Sequence, residues 1–446
     1  MGRRVFISFL GTNSYVETYY TINDKKITEY PVRFIQEALI DYQCKEWTDN
    51  DKILIFYTKD SCDKNWLDGG QKDYTQGLQS ILKSKESVVK LIVEGKLIPE
   101  GFSEDDIWEI FNIVYDELKE GDDVYFDVTH AFRSIPLFSV VLFNFAQFTK
   151  KINIVEINYG AFEKLGPAYL VKNMPMEERV APVVSLMNVI RLQQLTQTAN
   201  EFMNYGKLNT VSQILKTTQN ALETTTKAQR RIKDTLITLQ KNITLFEQQI
   251  SSCQLDALRQ ASTISIINSD LIKVLNSNVL NQAEKVVFEK IQTKISKFDS
   301  QPSNENIERA IEWALEYNML QQVYTLAQEY IIYFIYENNL LRTNDFWDST
   351  DGEKDKNIRE FISALLSISD EDIENANFKN YLSKYAKELT IIFSNSWVKD
   401  LRLSYKKIAD NRNQINHGKK GKSFNQLKDE FINYYNNSIK ILKELC

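Results

Sequence analysis

Two histidines serve a chain of 446 residues, and each sits in a dense polar run beside an arginine. His130 lies in "DVTHAFRS" with Arg133, and His417 lies in "DNRNQINHGKK" with Arg412. An imidazole with an unperturbed pKa of about 6.5 is the natural proton donor and acceptor at neutral pH. A guanidinium beside it stabilises charge building on a phosphoryl oxygen. Together they suffice for RNA cleavage by 2′-hydroxyl attack, which needs a proton relay and charge stabilisation but no metal. The sequence carries no Asp/Glu/His cluster at metal-ligand spacing, so no metal and no cofactor are expected.

Arg412 and His417 stand five residues apart, and five helical steps rotate about 140°. One uninterrupted helix would therefore keep them on different faces. A helix beginning or ending inside the motif brings them together, as does a dimer axis presenting two copies of each. Residues 399–422 hold eight basic side chains (Lys399, Arg402, Lys406, Lys407, Arg412, Lys419, Lys420, Lys422) against Asp400 and Asp410. That local charge of +6 in a chain of net −6 is a footprint for a polyanion. A solvated basic helix end complementing the macrodipole is the plainer alternative.

His130 follows "DVYFDVT", which reads as a strand, and Arg133 opens the next helix. Ligands of open α/β sheets bind beyond the carboxyl ends of the strands, where helix starts offer unpaired N–H groups. Further strand-like runs end in "LGTNSY" (Gly11, Thr12, Asn13, Ser14), "YTKDS" (Thr58, Lys59) and "NYGAF" (Tyr159). One sheet edge would thus gather Thr, Asn, Ser, Lys, His, Arg and Tyr, suited to a phosphorylated, base-containing ligand. Capping of the following helix fits Thr129 and His130 equally. "LGTNSY" lacks the GxGxxG spacing of a dinucleotide site.

The elements that position these residues follow from hydrophobic pattern. "RVFISFL", "KILIFYT", "DVYFDVT" and "INIVEINY" are strand-like. "EDDIWEIFNIVYDELKEG" puts Ile107, Ile110, Phe111, Val114 and Leu118 on one helical side, with Gly121 as a stop. "IPLFSVVLFNFAQFTK" is apolar nearly all round and predicts a buried helix. Strands alternating with helices imply a parallel-rich, Rossmann-like α/β domain over 1–178. From about Met176 Gly and Pro nearly vanish and Gln, Thr, Lys and Leu dominate, which predicts an all-α region over 179–300 serving as linker or dimerisation element. "KFDSQPSNEN" marks a further break, and 301–446 reads as a helical bundle with Ile307, Ala310, Ile311, Ala314 and Leu315 on one face. The net charge of −6 argues against generalised nucleic-acid coating. Four cysteines lie far apart without a CxxC pair, as in a reducing compartment. No apolar run reaches the roughly 18 residues of a spanning helix. A cytoplasmic protein without membrane contact is expected.

"DVTHAFRS" after a strand resembles the DxTHG-type signature of CRISPR-associated Rossmann-fold (CARF) sensor domains. "RNQINH" resembles the RN-x3-H form of the HEPN ribonuclease signature. The order of sensor, helical middle and nuclease is similar to the CARF–HEPN ancillary ribonucleases of type III CRISPR systems. The resemblance implies a sensor that binds a cyclic oligoadenylate, with the tetra-adenylate favoured over the hexa-adenylate. It also implies a homodimer, or higher even oligomer, whose HEPN domains share one metal-independent site for single-stranded RNA. Carried over, Arg412 and His417 are catalytic, with Asn413 orienting them or the substrate. Gly11, Thr12, Asn13, Ser14, Thr58, Lys59, Thr129, His130, Ala131, Arg133 and Tyr159 form the activator site. Ala131 replaces the usual glycine, which puts the local loop and the accepted ring size in question. A ligand-sensing DNA-binding regulator is the alternative, since the middle region offers "KAQRRIKD" but no clear helix-turn-helix. A third possibility is a catalytically silent dimer that sequesters the activator.

Overall fold

The run "RVFISFL" forms β1 (Arg4–Leu10), and its interior side chains are buried on both faces. Phe6 and Leu10 pack on one side of the sheet with helices Ile35–Gln43 and Leu78–Ser84. Val5, Ile7 and Phe9 pack on the other with helices Glu104–Glu117 and Ile135–Lys150. Alternation of side chains along a strand produces this division, and covered faces on both sides favour near-continuous apolar runs. The computed structural model describes residues 2–72, 74–85, 90–130, 135–222, 224–341, 352–374, 386–418 and 421–446.

The remaining strands are β2 (Tyr19–Ile22), β3 (Lys25–Lys26), β4 (Lys52–Tyr57), β5 (Ile92–Leu97), β6 (Asp123–Asp127), β7 (Asn153–Gly160) and β8 (Val180–Ser185). They form one sheet in the order β3-β2-β8-β7-β6-β1-β4-β5. The run β7-β6-β1-β4-β5 is parallel throughout. β8 joins β7 antiparallel, β2 joins β8 parallel, and β3 closes a hairpin on β2. Asn23 and Asp24 turn that hairpin with positive φ of 49° and 61°, as a two-residue connection matched to strand twist requires. From β1 the chain crosses to β4 on one side and meets β6 on the other, so the topological switch point lies at β1 and β6.

Three expectations change. β8 continues the sheet beyond residue 178, and the first compact unit closes at Arg191. Residues 192–446 form a single compact unit whose core runs from Leu195 to Leu442, without a division near residue 300. Helix Ile135–Lys150 is not buried all round: Leu142, Phe143 and Ala146 meet the sheet, while Leu137 and Phe148 are 77% and 85% exposed. A sheet covers one side of a helix only, so an all-round apolar pattern leaves the other side bare.

In the second unit helix Leu320–Glu337 is the axis of the core, with twelve of its residues buried, Tyr324 and Tyr330 among them. Helices Ser396–Asn416 and Phe424–Glu444 pack against it. Among the described residues no helix is long and apolar enough to cross a membrane.

Candidate functional site

A cavity of about 420 Å³ opens at the carboxyl ends of β1, β6 and β7. Its volume falls within the range of small-ligand sites. Asn13, Ser14 and Tyr15 line it from the loop after β1, Thr129 and His130 from the end of β6, Gly160 and Glu163 from the end of β7, and Arg33 from the segment before helix Ile35–Gln43.

Beneath the cavity a ladder of hydrogen bonds ties three strands together. Asp127, fully buried, accepts from Ser8 Oγ at 2.7 Å, from Thr129 N–H at 3.0 Å and from Thr129 Oγ1 at 2.5 Å. Gln36 Nε2 donates to Ser8 Oγ at 3.0 Å, and Gly160 N–H donates to Thr129 Oγ1 at 2.8 Å. Burial raises the Asp127 carboxyl above its ordinary range, opposed by the bonds from Thr129 and Ser8. A Cβ on Gly160 would lie 1.8 Å from Ile35 Cδ1 and 3.2 Å from its Cγ1, so any larger residue there would have to displace the buried Ile35 side chain.

The loop after β1 is held from outside. Asn65 Nδ2 donates to the carbonyls of Gly11 (2.9 Å) and Asn13 (3.0 Å), and Gln71 Nε2 donates to Asn65 Oδ1 at 3.2 Å. Ser14 Oγ donates to Gln71 Oε1 at 3.0 Å. Gly11 N–H donates to Tyr15 Oη at 3.0 Å, and the Tyr15 ring lies 4.5 Å from that of His130. Burial lowers the His130 pKa to about 4, so its imidazole is neutral at pH 7. His130 Nε2 is shielded from solvent and has no hydrogen-bond partner among the described residues.

Of the expected ligand residues, Asn13, Ser14, Thr129 and His130 come together around the cavity, with Gly11 and Thr12 in the adjoining loop. Thr58 does not face it. Thr58 is fully buried and caps the turn Lys59–Ser61, exchanging bonds with Ser61 (Thr58 N–H to Ser61 Oγ 2.9 Å). Lys59 is exposed at the start of that turn, and Tyr159 sits in β7 opposite Val184, outside the lining. A polar residue just past a strand serves a cap as readily as a ligand. Ala131 and Arg133 lie outside the described residues. Arg33, Asn65 and Gln71 were not foreseen. The signal for Arg33 was a charge inside the apolar run "PVRFIQEALI", which marks a buried cation.

Residues 5–162 match the family model described as "CRISPR system endoribonuclease Csx1, CARF domain". The first unit is similar to a CARF domain. CRISPR-associated protein MJ1674 of Methanocaldococcus jannaschii is 27% identical over 212 residues, which cover 43% of this chain and 30% of that relative. The chain thus spans about a third of the relative's length. Both findings support a CRISPR-linked sensor or effector whose CARF-like unit carries the cavity at the β1/β6 switch point.

The family model ends within the CARF-like unit, and the second histidine lies in the helical unit. Helix Ser396–Asn416 stops inside the motif. His417 caps it, donating its N–H to Asn413 O at 3.0 Å, and Gly418 follows with φ 58°, the usual left-handed exit. Arg412 is half-buried, its Nε without a hydrogen-bond partner among the described residues, while Asn413 and His417 are exposed. No hydrogen bond joins Arg412 to His417 among the described residues. Arg412 does act electrostatically on Tyr405 and Cys253.

The basic patch is smaller than its sequence count. Arg402 is buried and holds Asp370 at 3.1 Å and the Ile368 carbonyl. Lys422 pairs with Glu430 at 2.5 Å. Lys399, Lys406 and Lys407 are exposed, and Lys419 and Lys420 lie outside the described residues.

Proposed function

We propose that this chain is an activator-gated endoribonuclease. Its CARF-like cavity takes a cyclic oligoadenylate, and Arg412 and His417 of two paired chains cut single-stranded RNA without a metal. The observation that carries this reading is the Arg412–His417 motif at the carboxyl end of helix Ser396–Asn416, in a chain whose first unit is similar to a CARF domain. The helix continues to Asn416 and His417 N–H still donates to Asn413 O, so in this reading a dimer axis presenting two copies of each side chain forms the single cleft.

In the proposed reaction one imidazole of the shared cleft removes the 2′-hydroxyl proton as the oxygen attacks the adjacent phosphorus. A protonated imidazole donates to the departing 5′-oxygen, leaving a cyclic phosphate and a free 5′-hydroxyl. Arg412 balances the added charge on the phosphoryl oxygens, and Asn413 orients the strand or the pair. Activator binding must favour the cutting arrangement over the idle one, since equal affinity for both would switch nothing. Incubating labelled single-stranded RNA with the protein, each cyclic oligoadenylate and EDTA tests gating, ring size and metal independence together. Cleavage only with activator supports the reading. Retardation of duplex DNA without RNA cleavage replaces it with a DNA-binding regulator.

A further inference from the structure

Arg33 stands out among the side chains around the CARF-like cavity. With His130 neutral, it is the one cation among the described lining residues at pH 7. It is only 7% exposed, and among the described residues it forms no ion pair. Two carboxylates, Glu37 and Glu17, act on it electrostatically without forming an ion pair, and Glu37 is committed elsewhere, accepting from Phe34 N–H at 3.1 Å and standing 3.9 Å from Lys85 Nζ. Arg33 Nη2 donates to Gln76 O at 2.5 Å, and Nε has no hydrogen-bond partner. The guanidinium lies 4.2 Å from the Phe34 ring centre and 4.7 Å from that of Tyr74.

A buried charge without a contacting counter-ion costs several kcal/mol, and sequences that need only bulk place an apolar side chain there. Here the charge is kept, fixed in direction by two rings and a carbonyl, and set on a cavity wall. That is the arrangement of a preorganised anion site, for which a guanidinium fork suits phosphate oxygens. The charge balance narrows the anion. Glu163 lines the same cavity, so one positive and one negative side chain face the ligand. A terminal phosphate near pH 7 carries a charge of roughly −1.5 to −2. A phosphodiester carries one negative charge, which a single guanidinium matches.

We propose that Arg33 anchors an internal phosphodiester of the ligand, so that the cavity favours a closed or internal linkage over a chain end bearing a terminal phosphate. The proposal rests on reading this cavity as the activator site.

The test is calorimetric titration of the full chain and its Arg33→Met and Arg33→Lys variants. The probes are cyclic tetra-adenylate, cyclic hexa-adenylate, the single-linkage dinucleotide ApA and a linear 5′-phosphorylated tri-adenylate, each at two salt concentrations. Wild type should prefer the rings to the 5′-phosphorylated chain. Arg33→Met should lose about 10- to 100-fold in affinity and flatten the salt dependence by about one charge. Arg33→Lys, which keeps the charge without the fork, should fall between. Circular dichroism melting identifies a variant that fails to fold, and the lysine variant then carries the comparison. Unchanged affinity and salt slope in the folded variants would overturn the role of Arg33 while leaving the activator site intact. A wild type that binds none of these phosphodiesters overturns both.

Discussion

Asn411, one residue before Arg412, donates through Nδ2 to Tyr324 Oη at 3.0 Å and to Glu430 Oε2 at 2.9 Å. Its Oδ1 accepts from Lys422 Nζ at 3.2 Å, and Tyr324 Oη donates to Leu427 O at 2.7 Å. Asn411 thereby fixes the last turns of helix Ser396–Asn416 to the buried helix Leu320–Glu337 and to helix Phe424–Glu444. Asn411→Ala leaves the Tyr324 hydroxyl and the Glu430 carboxylate short of a donor, at a cost of about 1–3 kcal/mol. Urea denaturation should show that loss, with RNA cleavage falling further than stability. A variant as active and as stable as wild type would remove Asn411 from any positioning role.

Arg412→Ala and His417→Ala should each reduce activator-dependent RNA cleavage by at least about 100-fold, the lower range for a lost acid–base group. Their affinity for cyclic oligoadenylate, which belongs to the other unit, should stay unchanged. Single-turnover cleavage beside calorimetry separates the two readouts. Full cleavage in either variant would end the catalytic assignment.

Thr129 connects the cavity to the sheet, since its hydroxyl donates to Asp127 and accepts from Gly160 N–H. Thr129→Val preserves shape but strands a backbone donor and weakens the support of a buried carboxyl. It should destabilise the protein by about 1–3 kcal/mol and weaken activator binding, whereas Thr129→Ser should do neither. Chemical denaturation of both variants checks the difference, and equal midpoints would dismiss the ladder as a stabilising element.

Strand ends were legible where apolar runs were long: β1, β4, β6 and β7 lie where "RVFISFL", "KILIFYT", "DVYFDVT" and "INIVEINY" place them. β2, β3, β5 and β8 were not foreseen. β5 holds Gly95 and Lys96 at a partly exposed sheet edge, and β8 carries Pro182 between two neighbours, a residue that ordinarily argues against an interior strand. At the cavity, Asn13, Ser14, Thr129 and His130 could be named because each follows a strand. Arg33 could not. It enters from the segment before a helix, and only the folded sheet brings residues 33, 129 and 163 to one wall.

The depressed pKa of His130 gives stability a specific pH dependence. The ordinary value of 6.5 falls to about 4 on burial, so between these values the unfolded chain binds a proton that the folded chain does not. Stability is therefore fully present well above pH 6.5 and declines as pH falls toward 4, by roughly 2.5 kcal/mol at pH 4.5. His130→Gln should lack this component. Urea midpoints at pH 7 and pH 4.5 should move less in the variant than in wild type, and equal movement would mean that the imidazole is charged in the fold.

The basic residues near His417 divide into two kinds, and they should respond differently. Lys406 and Lys407 are exposed, so their replacement by Gln touches no packing. It should weaken RNA binding across sequences and reduce the dependence on salt by about one charge for each lysine that meets a phosphate. Arg402 is buried against Phe393 and holds the exposed Asp370 and the Ile368 carbonyl, so Arg402→Met breaks an ion pair and takes a donor from that carbonyl. That variant should lose stability, by about 1–3 kcal/mol, with no change in the salt slope. Fluorescence anisotropy with labelled RNA over a salt series, beside urea melts, distinguishes them. A reduced slope for Arg402→Met at wild-type stability would return Arg402 to the RNA-facing set.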